Sequence, residues 1–563
     1  MSSSTHSPAS QRAAGVAWTD EPGTSEEGGQ RLKRGPEASR DNRDRAYARR
    51  WYTLGVLCLS LLIIVVDTTI VNVALPTFAR DLHASSSGLQ WIVDAYTLTF
   101  AALLLLAGAI ADRYGRQRAL AAGLAVFAAG SLAAAFTQTT SELIAARAVM
   151  GVGGAFIMPA TLSIITAVFT DHAERTKAIG LWSAVSGLGV AIGPVAGGWL
   201  LDHFNWDSIF LVNLPIVAVA LVAGYWLVPA SRAPGAGRLD LAGAALSVAA
   251  FTGLTYTIIE APANGWLSAR TLGLGALSAA LLAMFAAWEA RVEHPMLPLR
   301  LFRNPRFTGA GLSITVLFFA LSGVTFLSSQ IYQFVLGYSP LAAGVRALPS
   351  AAALALFSPM GAALARRAGV RVPVALGLAA VIAGLVIFAQ ASASSGYGHY
   401  VLAMVIVSAG IGLAMSSATS ASMRELPPAM AGVGSAVNDT TRNMGSVLGV
   451  AVFGSITASV FASRMGSSAG SLGAAAAAAH RPGSGADVLH AAASAFVTGA
   501  DRAVLAGAIV VAAGLVVAFR SFRPARVTAP AEVPAEAVAE VPAEAVAEAP
   551  TEAQARVLEK ARG

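Results

Sequence analysis

Fourteen windows of mostly apolar residues, each about twenty long and so able to cross a bilayer as a helix, run from residue 51 to residue 520. Their expected limits are 51–75, 88–110, 118–136, 143–169, 178–200, 208–228, 240–260, 270–289, 307–328, 340–364, 373–391, 399–421, 433–461 and 501–520. Hydrocarbon offers backbone groups no partner, so a spanning segment must satisfy its own, as a helix does. Charged residues are 12% of the 563, where a soluble domain carries about 25%. The fold class this permits is an all-α polytopic membrane protein.

The formal net charge of +7 does not mark a nucleic-acid binder, because the basic residues are scattered between apolar spans and form no stripe. They read as topology signals. With the N-terminus inside, Arg113, Arg116, Arg118, Arg175, Lys177, Arg232, Arg238, Arg366, Arg367 and Arg371 fall in inner loops, and the outer loops hold only Arg80, Arg270, Arg464, Arg481 and Arg502. That asymmetry follows the positive-inside rule and puts both termini in the cytoplasm of a cell-membrane protein. Arg49 and Arg50, just before Trp51 and Tyr52, form an inner anchor. Residues 1–47 are polar, without the apolar stretch of a cleavable signal. Cys58 is the single cysteine, so neither an internal disulfide nor a cysteine metal site is expected.

The expected organisation is a disordered cytoplasmic tail (1–50), a six-helix bundle (51–228), two inserted helices with a cytoplasmic linker (229–306), a second six-helix bundle (307–523) with an outer loop at 465–500, and a disordered tail (524–563). That loop is rich in Ala, Gly and Ser, with a helical stretch at Ala474–Ala479. The tail repeats EVPAEAVA at Glu532–Ala539 and Glu540–Ala547. A larger repeat relates the bundles. Gly108–Arg118 reads GAIADRYGRQR and Gly361–Arg371 reads GAALARRAGVR, at equivalent loops once spans 7 and 8 are set aside. Duplicated halves around a central cavity are a transporter architecture.

Asp67 interrupts the first span. A carboxylate near a helix centre costs roughly 2.5 to 3.5 kcal/mol on insertion scales, so such residues face an aqueous cavity or a partner and carry function. Arg147 in span 4 and Asp94 in span 2 fall at comparable depth in the outer half. The expectation is that Asp67 and Asp94 compete for Arg147, a proton and substrate; an interfacial role beside Trp91 is the alternative for Asp94.

The Gly108–Arg118 loop resembles the cytoplasmic loop signature of the major facilitator superfamily, with Gly108, Asp112, Arg113, Gly115 and Arg116 in place and Ile110 and Gln117 departing from it. The resemblance implies a conformational latch between the halves. GLGVAIGPVAGG in span 5, with Gly189, Gly193, Pro194, Gly197 and Gly198, is similar to the antiporter signature of drug:proton exporters, and Arg147 with Gly151 fits a further motif. DTTIVNVALP in span 1, FLVNLPI at Phe210–Ile216 and GVGSAVNDTTRNMG in span 13 resemble the fourteen-span drug:proton antiporters, which include quaternary-ammonium exporters. Asn205-Trp206-Asp207 departs from that pattern, as do Asn438 and Asn443. Those exporters carry acids at the positions of Asp67, Asp94 and Asp439. Arg442 stands three residues after Asp439, which therefore reads equally as a transport acid or as half of a local ion pair, and this weighs against a dicationic substrate.

The resemblance covers about residues 50–520. It implies the major facilitator fold, two six-helix bundles plus two extra central helices, and alternating-access efflux of a small amphipathic drug or antibiotic, in some cases cationic, in exchange for protons. No nucleophile motif, metal spacing or phosphate-binding G-x-x-x-x-G-K-[ST] loop occurs. An enzyme is therefore not expected, and neither is a cofactor; the energy source is the proton-motive force. Expected partners are drug, protons and the lipid membrane, for a monomer that binds no nucleic acid. A proton-coupled importer of a small metabolite and a receptor or scaffold on the same fold are the alternatives.

Overall fold

The computed structural model describes residues 47–232, 239–293, 295–426, 431–466, 472–473, 475 and 486–522. Residues 1–46 of the expected N-terminal tail, the expected C-terminal tail with its repeat, Arg238, Arg481 and most of Ala474–Ala479 lie outside them. The described residues hold fourteen helices long and apolar enough to cross a membrane, spans 1 to 14 in chain order. They are Arg50–Asp81, Ser86–Tyr114, Arg116–Ala135, Thr140–Val168, His172–His203, Ser208–Leu227, Leu241–Asn264, Ala269–Glu289, Pro305–Val335, Pro340–Ala368, Arg371–Phe388, Tyr397–Arg424, Gly434–Met465 and Asp487–Ser521. The number matches the sequence expectation, and most helices are longer than expected, spans 6 and 11 being slightly shorter. Span 14 grows most: its helix begins at Ala486, inside the expected 465–500 loop. The alanines there are strong helix formers, and Ala492, Ala495 and Ala500 bury the early turns.

Local chemistry places the ends. Span 4 starts on a capping box between Thr139 and Glu142, and the side chains of Ser85, Asp171, Asp240, Ser268, Asn304 and Ser339 each accept an N–H of the helix they precede. The 2–3 and 10–11 turns pivot on Gly115 (φ 116°) and Gly369 (φ 77°), backbone conformations that disfavour a side chain. The same repeat fixes a second register. A Cβ on Gly108 would touch Pro159 of span 4, and one on Gly361 would strike Leu413 of span 12.

The two halves meet mainly toward the Asp81 end of span 1. There Ser329 Oγ donates to Asn72 O and Gln333 Nε2 donates to Val73 O at 2.8 Å. Ser339 Oγ donates to Asp202 Oδ2 at 2.9 Å. Gly198 of span 5 presses on Leu341 of span 10, and Gly344 of span 10 presses on Pro194 of span 5. Of the two inserted helices, span 8 packs on span 7, and span 7 reaches the core. Span 7 lies along the seam of spans 2 and 13, where Tyr256 tilts against Trp91 at 6.1 Å and Ser455 Oγ donates to Ile258 O at 2.8 Å. At the Arg50 end, the anchor expected from Arg50 and Trp51 ties span 1 to span 5. Arg50 pairs with Glu174 at 2.8 Å, and Lys177 sits 5.4 Å from the Trp51 ring.

Candidate functional site: a buried ion pair in the first bundle

Asp67 and Arg147 form an ion pair at 2.6 Å, each 1% exposed. Span 1 continues to Asp81, so Asp67 lies nearer the middle of its helix than a span ending at residue 75 implies. The Arg147 guanidinium is held from three sides: Nε donates to Ile92 O at 3.2 Å, the Tyr96 ring lies 4.4 Å beneath it, and Met150 Sδ packs at 3.9 Å. Asp67 has a second partner that the sequence reading did not single out. Asn213 Nδ2, from FLVNLPI in span 6, donates to Asp67 Oδ1 at 3.2 Å. Asn213 also reaches Ser131 Oγ of span 3 at 3.1 Å, and Ser131 donates to Phe210 O at 2.8 Å. A buried polar side chain in an apolar span was the available signal for Asn213. Ser131 had none, since one hydroxyl in an alanine-rich helix is ordinary.

Asp94 is not part of this pair. It is wholly buried, and neither carboxylate oxygen has a hydrogen-bond partner. Its helical face is fixed by neighbours one turn away. Gln90 packs on Gly454 and receives a bond from Ser455 Oγ at 3.2 Å, while Leu98 clusters with Met444 and Val447. Asp94 therefore lies on the face of span 2 that seals against span 13, between the halves. Asp439 pairs locally with Arg442 at 3.6 Å. Arg442 also donates to Thr419 Oγ1 at 3.3 Å and stands 5.7 Å from the Phe318 ring.

In the 2–3 loop, Arg116 Nε donates to Asp112 at 2.8 Å and its Nη1 donates to Ser163 O at 3.1 Å, at the end of span 4. The Arg116 amide donates to Ser231 O at 3.0 Å, beside Gly115. Arg113 stands 5.7 Å from the Tyr114 ring. Among the described residues, the hydrogen bonds and ion pairs of Asp112, Arg113 and Arg116 stay within the first bundle and the segment leaving it. In span 5, Gly189, Gly193 and Gly197 lie against Val65, Thr69 and Ile70 of span 1, and Gly198 lies against span 10. The glycine run thus lets one helix touch both halves closely. Its counterpart across the interface, Gly344, was not singled out from sequence.

Comparison with known proteins agrees with this architecture. Residues 57–450 match the Major Facilitator Superfamily profile. The chain is 36% identical over 492 residues to the multidrug efflux pump LfrA of Mycolicibacterium smegmatis, covering 84% of this chain and 97% of that protein. It is 36% identical over 408 residues to the multidrug resistance protein Stp of Mycobacterium tuberculosis, covering 72% and 75%. Among solved structures, a bacterial homologue of the human lysosomal transporter Spinster, in an inward-facing and occupied conformation, aligns with TM-score 0.60 at 16% identity, over 84% of this chain and 96% of that one. With fourteen spans, duplicated halves and a charged pair buried in the first bundle, the chain belongs to the Major Facilitator Superfamily.

Proposed function

We propose that this protein exports small amphipathic drugs or antibiotics in exchange for protons. The observation that carries the reading is the buried Asp67–Arg147 pair, in a chain whose relatives are named as multidrug efflux and resistance proteins. A charge pair inside a membrane costs too much to keep for packing alone, and such residues mark ion and substrate paths. On the positive-inside reading, the Arg50 end and both termini face the cytoplasm of the cell membrane, and the sealed Asp81 end faces out. Drug enters from the cytoplasm or inner leaflet, and the halves rock. On the outer side a proton takes Asp67 away from Arg147, weakening drug binding. Coupling arises because drug and proton have different affinities for the same groups. One charge crossing about 100 mV supplies about 2.3 kcal/mol.

Asp94 adds the return step. With the outer seam closed, its carboxyl has no donor, and an ionised acid there is an uncompensated buried charge. Closure of the empty carrier is therefore tied to carrying a proton on Asp94. Asp94→Asn, neutral at all times, should close without a proton. Efflux driven by a pH gradient should fall at least ten-fold while downhill drug movement persists. Gradient-driven efflux at the wild-type rate would remove Asp94 from the cycle.

The whole reading is tested in inside-out vesicles with a panel of antibiotics and cationic dyes, ethidium among them. Energised vesicles should accumulate at least one compound, and an uncoupler should abolish it. Accumulation indifferent to the uncoupler would exclude proton exchange, and gradient-driven loss from the vesicles would favour an importer.

A further inference from the structure

We infer that Asn213, braced by Ser131, is a positioning residue that governs when Asp67 takes up a proton. The inference rests on the reading of Asp67 given above. Asp67 offers two oxygens and each has one strong partner: Oδ2 faces Arg147 at 2.6 Å and Oδ1 faces Asn213 at 3.2 Å. The amide is held in turn. Ser131 Oγ gives its proton to Phe210 O, which leaves its lone pairs to receive Asn213 Nδ2 at 3.1 Å. Asp67, Asn213 and Ser131 are each 1% exposed or less. The chain runs across three helices, from span 3 through span 6 to span 1: Asn213 Nδ2 donates one N–H to Ser131 Oγ, which anchors the amide, and the other to the carboxylate.

The direction matters. An N–H aimed at a carboxylate is a charge-assisted bond, stronger when the acid is ionised than when it is protonated. In a water-poor site that preference is not averaged out by solvent. Asn213 thus gives the carboxylate a second donor beside Arg147, without adding a charge. Each oxygen keeps a second lone pair for an arriving proton, and the protonated acid then accepts more weakly from both donors. The charged and titratable groups around Asp67 are Arg147 from span 4 and Tyr96 from span 2, whose ring lies under Arg147. Span 5 presents glycines to span 1, and span 9 presents Ser329 and Gln333 to the backbone of Asn72 and Val73. Asp94 faces span 13 instead.

The test needs no drug. The melting temperature of the purified full chain, followed from acidic to alkaline pH, should contain a step that Asp67→Asn abolishes. In Asn213→Ala that step should move to higher pH by about one to two units, the size expected for losing one hydrogen bond to a charged group. Ser131→Ala should move it the same way by less, and Ser131→Thr, which keeps the hydroxyl, should restore it. A residue that only packs would lower the melting temperature at every pH and leave the step in place. The inference is overturned if the wild type shows no Asp67-dependent step, or if the step stays put in both Asn213→Ala and Ser131→Ala. Failure of the export reading looks different: no panel compound moves with the gradient, whatever the melting profile shows.

Discussion

Asp67→Ala should abolish efflux and lower the stability of the fold, because it leaves the Arg147 guanidinium buried with no counter-charge. Removing one member of a buried ion pair costs about 3 to 5 kcal/mol, and both members here are 1% exposed. The Ile92 carbonyl and the Tyr96 ring soften that cost but do not neutralise the charge. Replacing both members by leucine should recover most of the stability, since apolar groups of similar size can substitute for a buried pair. It should not recover transport. The split between the two readouts is the point of the experiment. A double variant no more stable than Asp67→Ala would mean the pair is not the energetic unit described here. Gradient-driven efflux in the double variant would show that the pair is structural and the proton is carried elsewhere.

Gly344→Val should hinder closure of the carrier's Asp81 end, and efflux should fall by roughly five-fold or more. A Cβ on Gly344 would strike the Pro194 carbonyl oxygen, against backbone that cannot rotate away. Overpacking a tight contact costs about 1 to 3 kcal/mol, which shifts a two-state equilibrium by roughly five- to 150-fold. Only the closed state should feel it, because this contact joins the two halves. Cysteines in place of Asp202 and Ser339, which touch at 2.9 Å, report the closure. With Cys58 replaced, they should cross-link readily in the parent protein and poorly with Gly344→Val. Equal cross-linking in both would place the closed seam elsewhere.

How much of this was legible beforehand differs by element. The number of spans could be read from the chain, because lipid demands about twenty apolar residues per crossing and excludes other backbone. The expense of Asp67 and Arg147 in hydrocarbon marked them as a candidate site before their pairing was visible. The glycine run of span 5 announced close packing, but not that span 1 and span 10 would be its two neighbours. The 2–3 loop was expected to latch the halves; in this conformation its polar contacts hold the end of span 4 and the chain leaving span 6.

The residues whose meaning came only from tertiary structure share a property: their chemistry depends on helices distant in sequence. Asp94 was grouped with Asp67 by depth, and depth is a one-dimensional quantity. Which face of span 2 carries it was decided by the seam with span 13, several hundred residues on. Asp439 and Arg442 were close enough in sequence for their pairing to be foreseen, and the ion pair is present. Asn213 and Ser131 were not, since they stand far from Asp67 in sequence and only packing brings both to it. The sequence by itself determined that this chain crosses a membrane fourteen times and buries charge on the way, because hydropathy and desolvation are local costs. The tertiary structure alone decided which charges meet, which acid lies between the halves and which end is sealed, because hydrogen bonds and close helix contacts are set by three-dimensional register.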